Sequence, residues 1–249
     1  MPELNSPAVW ALALVAAACV GLTKTGFGGL GIVAVLLFAT IFPAKASTGA
    51  LLPLMIFGDL IGVYFYRGHA NWPDLIRLLP ATLAGIVCGW WLMPHIPDHE
   101  FIVFLGWLIL GLMALTVMQR RFPRVLLSAV EHPLLGLVAG WATGLATMLA
   151  NAAGAITAFY FLARRMDKMT FVGTAAWFYL VVNLSKVPFS IQLGLLTPGS
   201  LKFDLMLLPA VAVGAVAGRL LLRRVPQRLF EWITILLATA AALRLIATG

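Results

Sequence analysis

The apolar run over residues 8–42 is too long to cross a membrane once and too short to cross it twice. As one straight helix it would reach about 50 Å at 1.5 Å per residue, against a hydrocarbon core of about 30 Å. Divided at the glycines of GLTKTGFGGLGIV, it gives two half-helices over residues 8–22 and 30–42, each about 20 Å long. Residues 134–163 divide in the same way around LANAAGA. Six other apolar segments, near residues 46–66, 73–93, 101–119, 170–193, 203–222 and 229–247, have ordinary spanning length. With 62% of residues hydrophobic and only 10% charged, no water-facing shell is left for a soluble globule. The expected fold is an all-α polytopic membrane protein.

The chain also repeats itself. RLLPATLAGIVCGWWLMPHIPDHEF (residues 77–101) returns 129 positions later as MLLPAVAVGAVAGRLLLRRVPQRLF, aligning Pro80 with Pro209, Gly85 with Gly214, Gly89 with Gly218 and Pro97 with Pro226. Upstream the offset falls to 126, pairing TGFGG (25–29) with NAAGA (151–155). The expected organisation is two transmembrane repeats, residues 1–125 and 126–249, of about four helical segments each, joined near residues 118–133.

Basic residues choose between a hairpin and a plain span. If all eight segments cross, the loops on the two sides carry seven and eight Lys and Arg residues. If each broken segment enters and leaves on one side, the division becomes twelve against three, with only Lys45, Lys202 and Arg244 on the sparse face. The second distribution is what the positive-inside rule expects. It makes the two repeats inverted, each opened by a re-entrant hairpin, with a long, tilted, broken helix as the alternative. The formal charge of +8 accordingly reads as a topology signal and as lipid-headgroup contacts, with no nucleic-acid partner.

Lys24 is the first candidate for chemistry, since a cation at mid-membrane costs about 2.5–3.5 kcal/mol on insertion scales. Gly26, Gly28 and Gly29 beside it permit an unwound turn, and a half-helix starting near Gly28 would aim its free N–H groups at the tip. Lysine and helix end together favour an anion. The second break offers Thr147, Asn151 and the backbone near Gly154 but no lysine. There the charge is expected from Lys186 in VVNLSKVPF, beside Asn183 and ahead of the helix-disrupting Pro188. Asp59 is expected either to pair with a lysine or to carry a coupled proton. Thr25, Thr48 and Thr174 supply hydroxyls, while Phe27 and Trp177 are read as packing.

Enzyme signatures are weak. The four histidines lie in or near loops without metal-ligand spacing, and Cys19 and Cys88 read as small buried hydrophobes, so no metal or cofactor is expected. The glycine run has no βαβ frame and no Walker A lysine, which disfavours nucleotide binding and ATP-driven transport. The N-terminus carries Glu3 and no basic residue ahead of its apolar run, so it is expected to be retained.

LTKTGFGGLGI, followed by PAKASTGALLPLMIFGDLIGVYFYRGHANW, resembles the TauE/SafE family, with LANAAGAIT similar to the family's second tip. The resemblance covers nearly the whole chain. It implies a multi-pass carrier of the bacterial inner membrane for small sulfur-containing oxyanions or organosulfonates such as sulfite or sulfoacetate, often an exporter. On that reading Lys24 and Lys186 neutralise the anion, Thr25, Asn151 and Asn183 bond its oxygens, and the glycine-linked backbone completes a cage reached by alternating access. Proton or ion coupling and a homodimeric scaffold stay open. An intramembrane assembly factor that moves nothing, and an anion channel, are the competing classes.

Overall fold

A computed structural model describes residues 6–26, 30–97, 133–164 and 166–221, with scattered residues between 100 and 121 and beyond 231. All regular structure among them is helical: α1 Pro7–Thr25, α2 Gly31–Ile41, α3 Ala44–Ala50, α4 Leu52–Tyr66, α5 Trp72–Leu92, α6 Pro133–Ala150, α7 Gly154–Ala163, α8 Lys168–Gln192 and α9 Pro198–Leu221. Pro7–Thr25, Ala44–His69, Trp72–His95 and Pro198–Leu221 are long and apolar enough to cross a membrane. The segments expected near 101–119 and 229–247, and the join, lie mostly outside the described residues.

Local chemistry explains the helix starts. Pro7 begins α1 where a missing N–H costs nothing. Asn71 caps α5 by accepting from the Asp74 N–H at 3.3 Å. Asp167 caps α8, accepting from the N–H of Met169 at 3.0 Å and of Thr170 at 3.2 Å. The Thr170 hydroxyl, together with that N–H, holds its carboxyl below the usual carboxylate range. At α9, Thr197 and Ser200 bond reciprocally, the Ser200 N–H to Thr197 Oγ1 and the Thr197 N–H to Ser200 Oγ, both 3.1 Å.

Both broken segments fold back on themselves. Trp10 near the start of α1 and Phe42 just after α2 both meet the Phe203 ring, at 5.0 and 5.7 Å between centroids. In the second segment, Gly136 early in α6 lies against Tyr160 late in α7. Two further contacts agree with the hairpin path and conflict with eight plain crossings. Arg164, after α7, pairs with Asp74 at the start of α5 (2.8 Å), and Pro43, before α3, shares a cavity with Thr197, before α9. Eight crossings would put the members of each pair on opposite faces.

The helix break itself comes later than expected. α1 continues through Lys24 to Thr25 and α2 begins at Gly31, so Lys24 stands in the last helical turn of α1 rather than in an unwound turn. Nothing before Gly26 breaks the helix, and a cation is favourable among the carbonyls of that turn. Gly28, Gly29 and Phe27 are outside the described residues. Pro188 does not disrupt α8, which runs on to Gln192, and Pro80 and Pro209 likewise sit inside helices. In a membrane, neighbouring groups absorb the one lost helical bond.

Two glycine-interlocked helix pairs frame the core, α1 against α9 and α5 against α6. A Cβ on Gly21 would lie 2.0 Å from Val211 O, and one on Gly214 2.1 Å from Ala18 O. A Cβ on Gly144 would lie 2.0 Å from Thr82 O, and one on Gly85 2.1 Å from Trp141 O. Gly144 follows Gly21 by 123 positions and Val211 follows Thr82 by 129, so the contacts recur with fixed spacings. Because backbone meets backbone, Gly21→Ala and Gly144→Ala should each force the helices apart, costing about 1–3 kcal/mol or more. Gly68→Ala, with nothing within 4 Å of its Cβ, is the near-neutral control. Unfolding in detergent measures all three, and equal stability of all three would refute the interlock.

Candidate functional site

α8 carries Tyr179, Asn183 and Lys186, spaced to share one face of the helix, and these side chains organise the polar centre. Lys186 is 2% exposed and Lys24 8%, and Asp59 on α4 is fully buried. Lys24 Nζ lies 2.8 Å from Asp59 Oδ1, and Asn183 Nδ2 donates to Asp59 Oδ2 at 2.7 Å. Both carboxylate oxygens are thereby engaged. Lys24 also stands over the Tyr179 ring, 4.5 Å from its centroid, and the Tyr179 hydroxyl is hydrogen-bonded to Thr157 of α7.

The packing room for Lys24 comes from α4. A Cβ on Gly58 would lie 3.0 Å from Lys24 Cγ, and one on Gly62 would lie 2.9 Å from Lys24 O. A side chain at Gly58 would crowd the lysine's stem, and one at Gly62 its backbone.

Lys186 is held differently. Its Nζ donates to Asn151 Oδ1 and, at 3.3 Å, to Thr147 Oγ1, so its acceptors are neutral. Asn151 is at the second break and adopts φ 52, the left-handed conformation that asparagine tolerates better than most residues. Its Nδ2 donates to Thr48 O at 2.8 Å, fastening the tip to α3. Lys24 and Lys186 are within electrostatic reach of each other, and both act on Asp59.

Seven of the residues singled out from sequence therefore meet in one buried cluster: Lys24, Asp59, Thr147, Asn151, Asn183, Lys186 and, through its carbonyl, Thr48. Others are occupied elsewhere. The Thr25 hydroxyl donates to Ala215 O at 2.7 Å and Gly21 O at 3.1 Å, and Thr25 O accepts from the Tyr66 hydroxyl at 2.9 Å, which anchors the end of α1. Thr174 Oγ1 accepts from the Asn71 N–H at 2.8 Å, and the Thr48 hydroxyl turns back to Lys45 O. Gly26 ends α1 through its N–H to Leu22 O, and Gly154 opens α7. Trp177 packs on Trp72 at 5.3 Å, as expected of it.

Tyr179, Thr157, Gly58 and Gly62 were not anticipated. The faint signal for Tyr179 was its place one helical turn before Asn183 on the lysine face of α8.

No group of His, Cys, Asp and Glu able to hold a metal occurs among the described residues. A cavity of about 200 Å³ sits away from the lysines, at the open end of the first hairpin. The polar cluster is thus closed around its own side chains, with one more buried cation than buried anion. A family model described as Sulfite exporter TauE/SafE matches residues 12–245. Neither curated proteins nor solved structures gave a match.

Proposed function

We propose a mechanism for a chain that belongs to the sulfite exporter TauE/SafE family, a family of membrane transporters. The protein is a secondary transporter that exports a small sulfur-containing oxyanion or organosulfonate, such as sulfite or sulfoacetate, across the bacterial inner membrane. The observation that carries this reading is the make-up of the buried cluster: Lys24 and Lys186 against Asp59, with Lys24 2.8 Å from the acid and Lys186 on the same helix face as the Asn183 that bonds it. One positive charge remains for an anion.

Lys186 is the cation that makes first contact. Lys24 already faces a carboxylate, whereas Lys186, among the described residues, donates to an amide and a hydroxyl. A sulfonate oxygen displaces such neutral acceptors because it sets a full negative charge against the ammonium, and that attraction is strengthened where water is excluded. Asn151 and Asn183, released in part, donate to the remaining oxygens. Displacing Asn151 frees the second tip from both Lys186 and Thr48, linking occupancy of the site to movement of that hairpin in an alternating-access cycle.

A thermal-shift titration of the purified protein with sulfite, sulfoacetate, taurine, acetate and sulfate tests this. A ligand at about 100 times its dissociation constant stabilises by about 2.7 kcal/mol. A saturable shift with sulfite or sulfoacetate, absent in Lys186→Gln, is expected. If folded wild-type protein shifts with none of them, or Lys186→Gln shifts as wild type does, the reading fails.

A further inference from the structure

Asp204 is a third buried acid besides Asp59 and Asp74, and its surroundings are unlike theirs, since Asp59 faces Lys24 and Asp74 pairs with Arg164. It lies in α9, is 1% exposed, and both carboxylate oxygens are without a hydrogen-bond partner among the described residues. A carboxylate in that position has given up water with nothing in return, whereas the neutral acid has little to lose.

Charged and titratable groups on the neighbouring helices are committed elsewhere. From α1, Lys24 faces Asp59, and Cys19 is a buried free thiol. From α3, Lys45 bonds Ile96 O and lies 6.0 Å from the centre of the Phe101 ring. From α4, Asp59 is held by Lys24 and Asn183, Tyr66 donates to Thr25 O, and Tyr64 is exposed. Within α9, Lys202 is exposed and Arg219 lies over the Phe65 ring at 4.2 Å.

A cavity lies one helical turn along α9 from the acid. Ser200, one helical turn before Asp204, and Phe203, immediately before it, line the cavity of about 200 Å³ together with Pro43, Gly194 and Thr197. On the hairpin topology proposed above, this is the outer, base-poor side of the membrane.

We propose that Asp204 is the proton-coupling site of the transporter, loaded from the outer side through this cavity. The carboxylate takes a proton from outside water to become the neutral acid and returns it to water on the inner side as the anion leaves. Asp59, matched by Lys24 and Asn183, then serves as a fixed counter-ion. The inference rests on the transport reading for its coupling and on the buried, unpartnered geometry for its site.

The test uses the full chain in proteoliposomes loaded with sulfoacetate. In wild type, sulfoacetate efflux should rise at least fivefold under an inward proton gradient. Asp204→Asn should keep sulfoacetate exchange at equal pH but lose the gradient stimulation, and Asp204→Glu should restore part of it. Stimulation that persists in Asp204→Asn overturns the proposal, as does a response to a sodium gradient in place of protons. Infrared difference spectra against pH read the site independently of transport: the C=O band of a protonated carboxyl should be present in wild type and lost in Asp204→Asn. Identical spectra would overturn the assignment. Absence of sulfoacetate exchange in wild type would instead count against the proposed cargo, leaving the infrared result to decide on Asp204.

Discussion

Asp59→Ala is expected to lower the unfolding free energy by about 3–5 kcal/mol, the cost of stranding one member of a buried ion pair. The substitution leaves Lys24 buried over the Tyr179 ring and Asn183 without its acceptor. Lys24 cannot easily swing away, because Gly58 and Gly62 pack directly against its stem and backbone. Lys24→Met in the same chain removes the stranded cation while filling the groove with an unbranched apolar side chain. The double variant should recover most of the lost stability, as replacement of whole buried pairs by apolar groups commonly does. Denaturant unfolding of the four proteins closes a double-mutant cycle. A coupling below about 1 kcal/mol is the size measured for exposed pairs and would show that the Lys24–Asp59 contact is not held dry.

What could be read from the sequence was set by features that a single segment carries by itself. The fold-back of residues 8–42 follows from its length, and the uneven distribution of Lys and Arg reinforces it. Buried Lys24, Asp59 and Lys186 stand out because a charge in an apolar run needs a partner, whatever the fold. Their gathering into one cluster was legible for that reason. The hydroxyls were not. Thr25 and Thr174 find acceptors or donors 190 and 103 positions away, so their partners depend on which helices lie side by side. Hydroxyl groups in helices carry no sign of that choice.

The repeat spacing itself varies along the chain. An offset of 126 matches the tips, whereas the glycine contacts of α1 and α6 recur at 123, which sets Thr147 opposite Lys24. The difference of three positions falls where the helices break, and the two breaks differ in sequence. The two lysines reach the centre from different elements, Lys24 from α1 and Lys186 from α8.

Asn151→Asp should abolish anion binding while leaving the fold intact. Aspartate tolerates the φ of 52 about as well as asparagine does, so the backbone of the second tip has no reason to change. Its carboxylate keeps the bond to Lys186 and turns it into an ion pair, which offsets the lost donation to Thr48 O. The charge count then closes, with two lysines against two aspartates, and nothing remains to attract an anion. Sulfoacetate affinity should fall about 100-fold or more, equivalent to about 2.7 kcal/mol, while the melting temperature without ligand stays level or rises. Asn151→Gly separates charge from contact, since it allows the same φ, drops both side-chain bonds and preserves the net positive charge. It should weaken the tip yet retain binding. If Asn151→Asp binds sulfoacetate as tightly as wild type, the surplus cation is not what holds the cargo, and the backbone at the hairpin tips must supply the attraction instead.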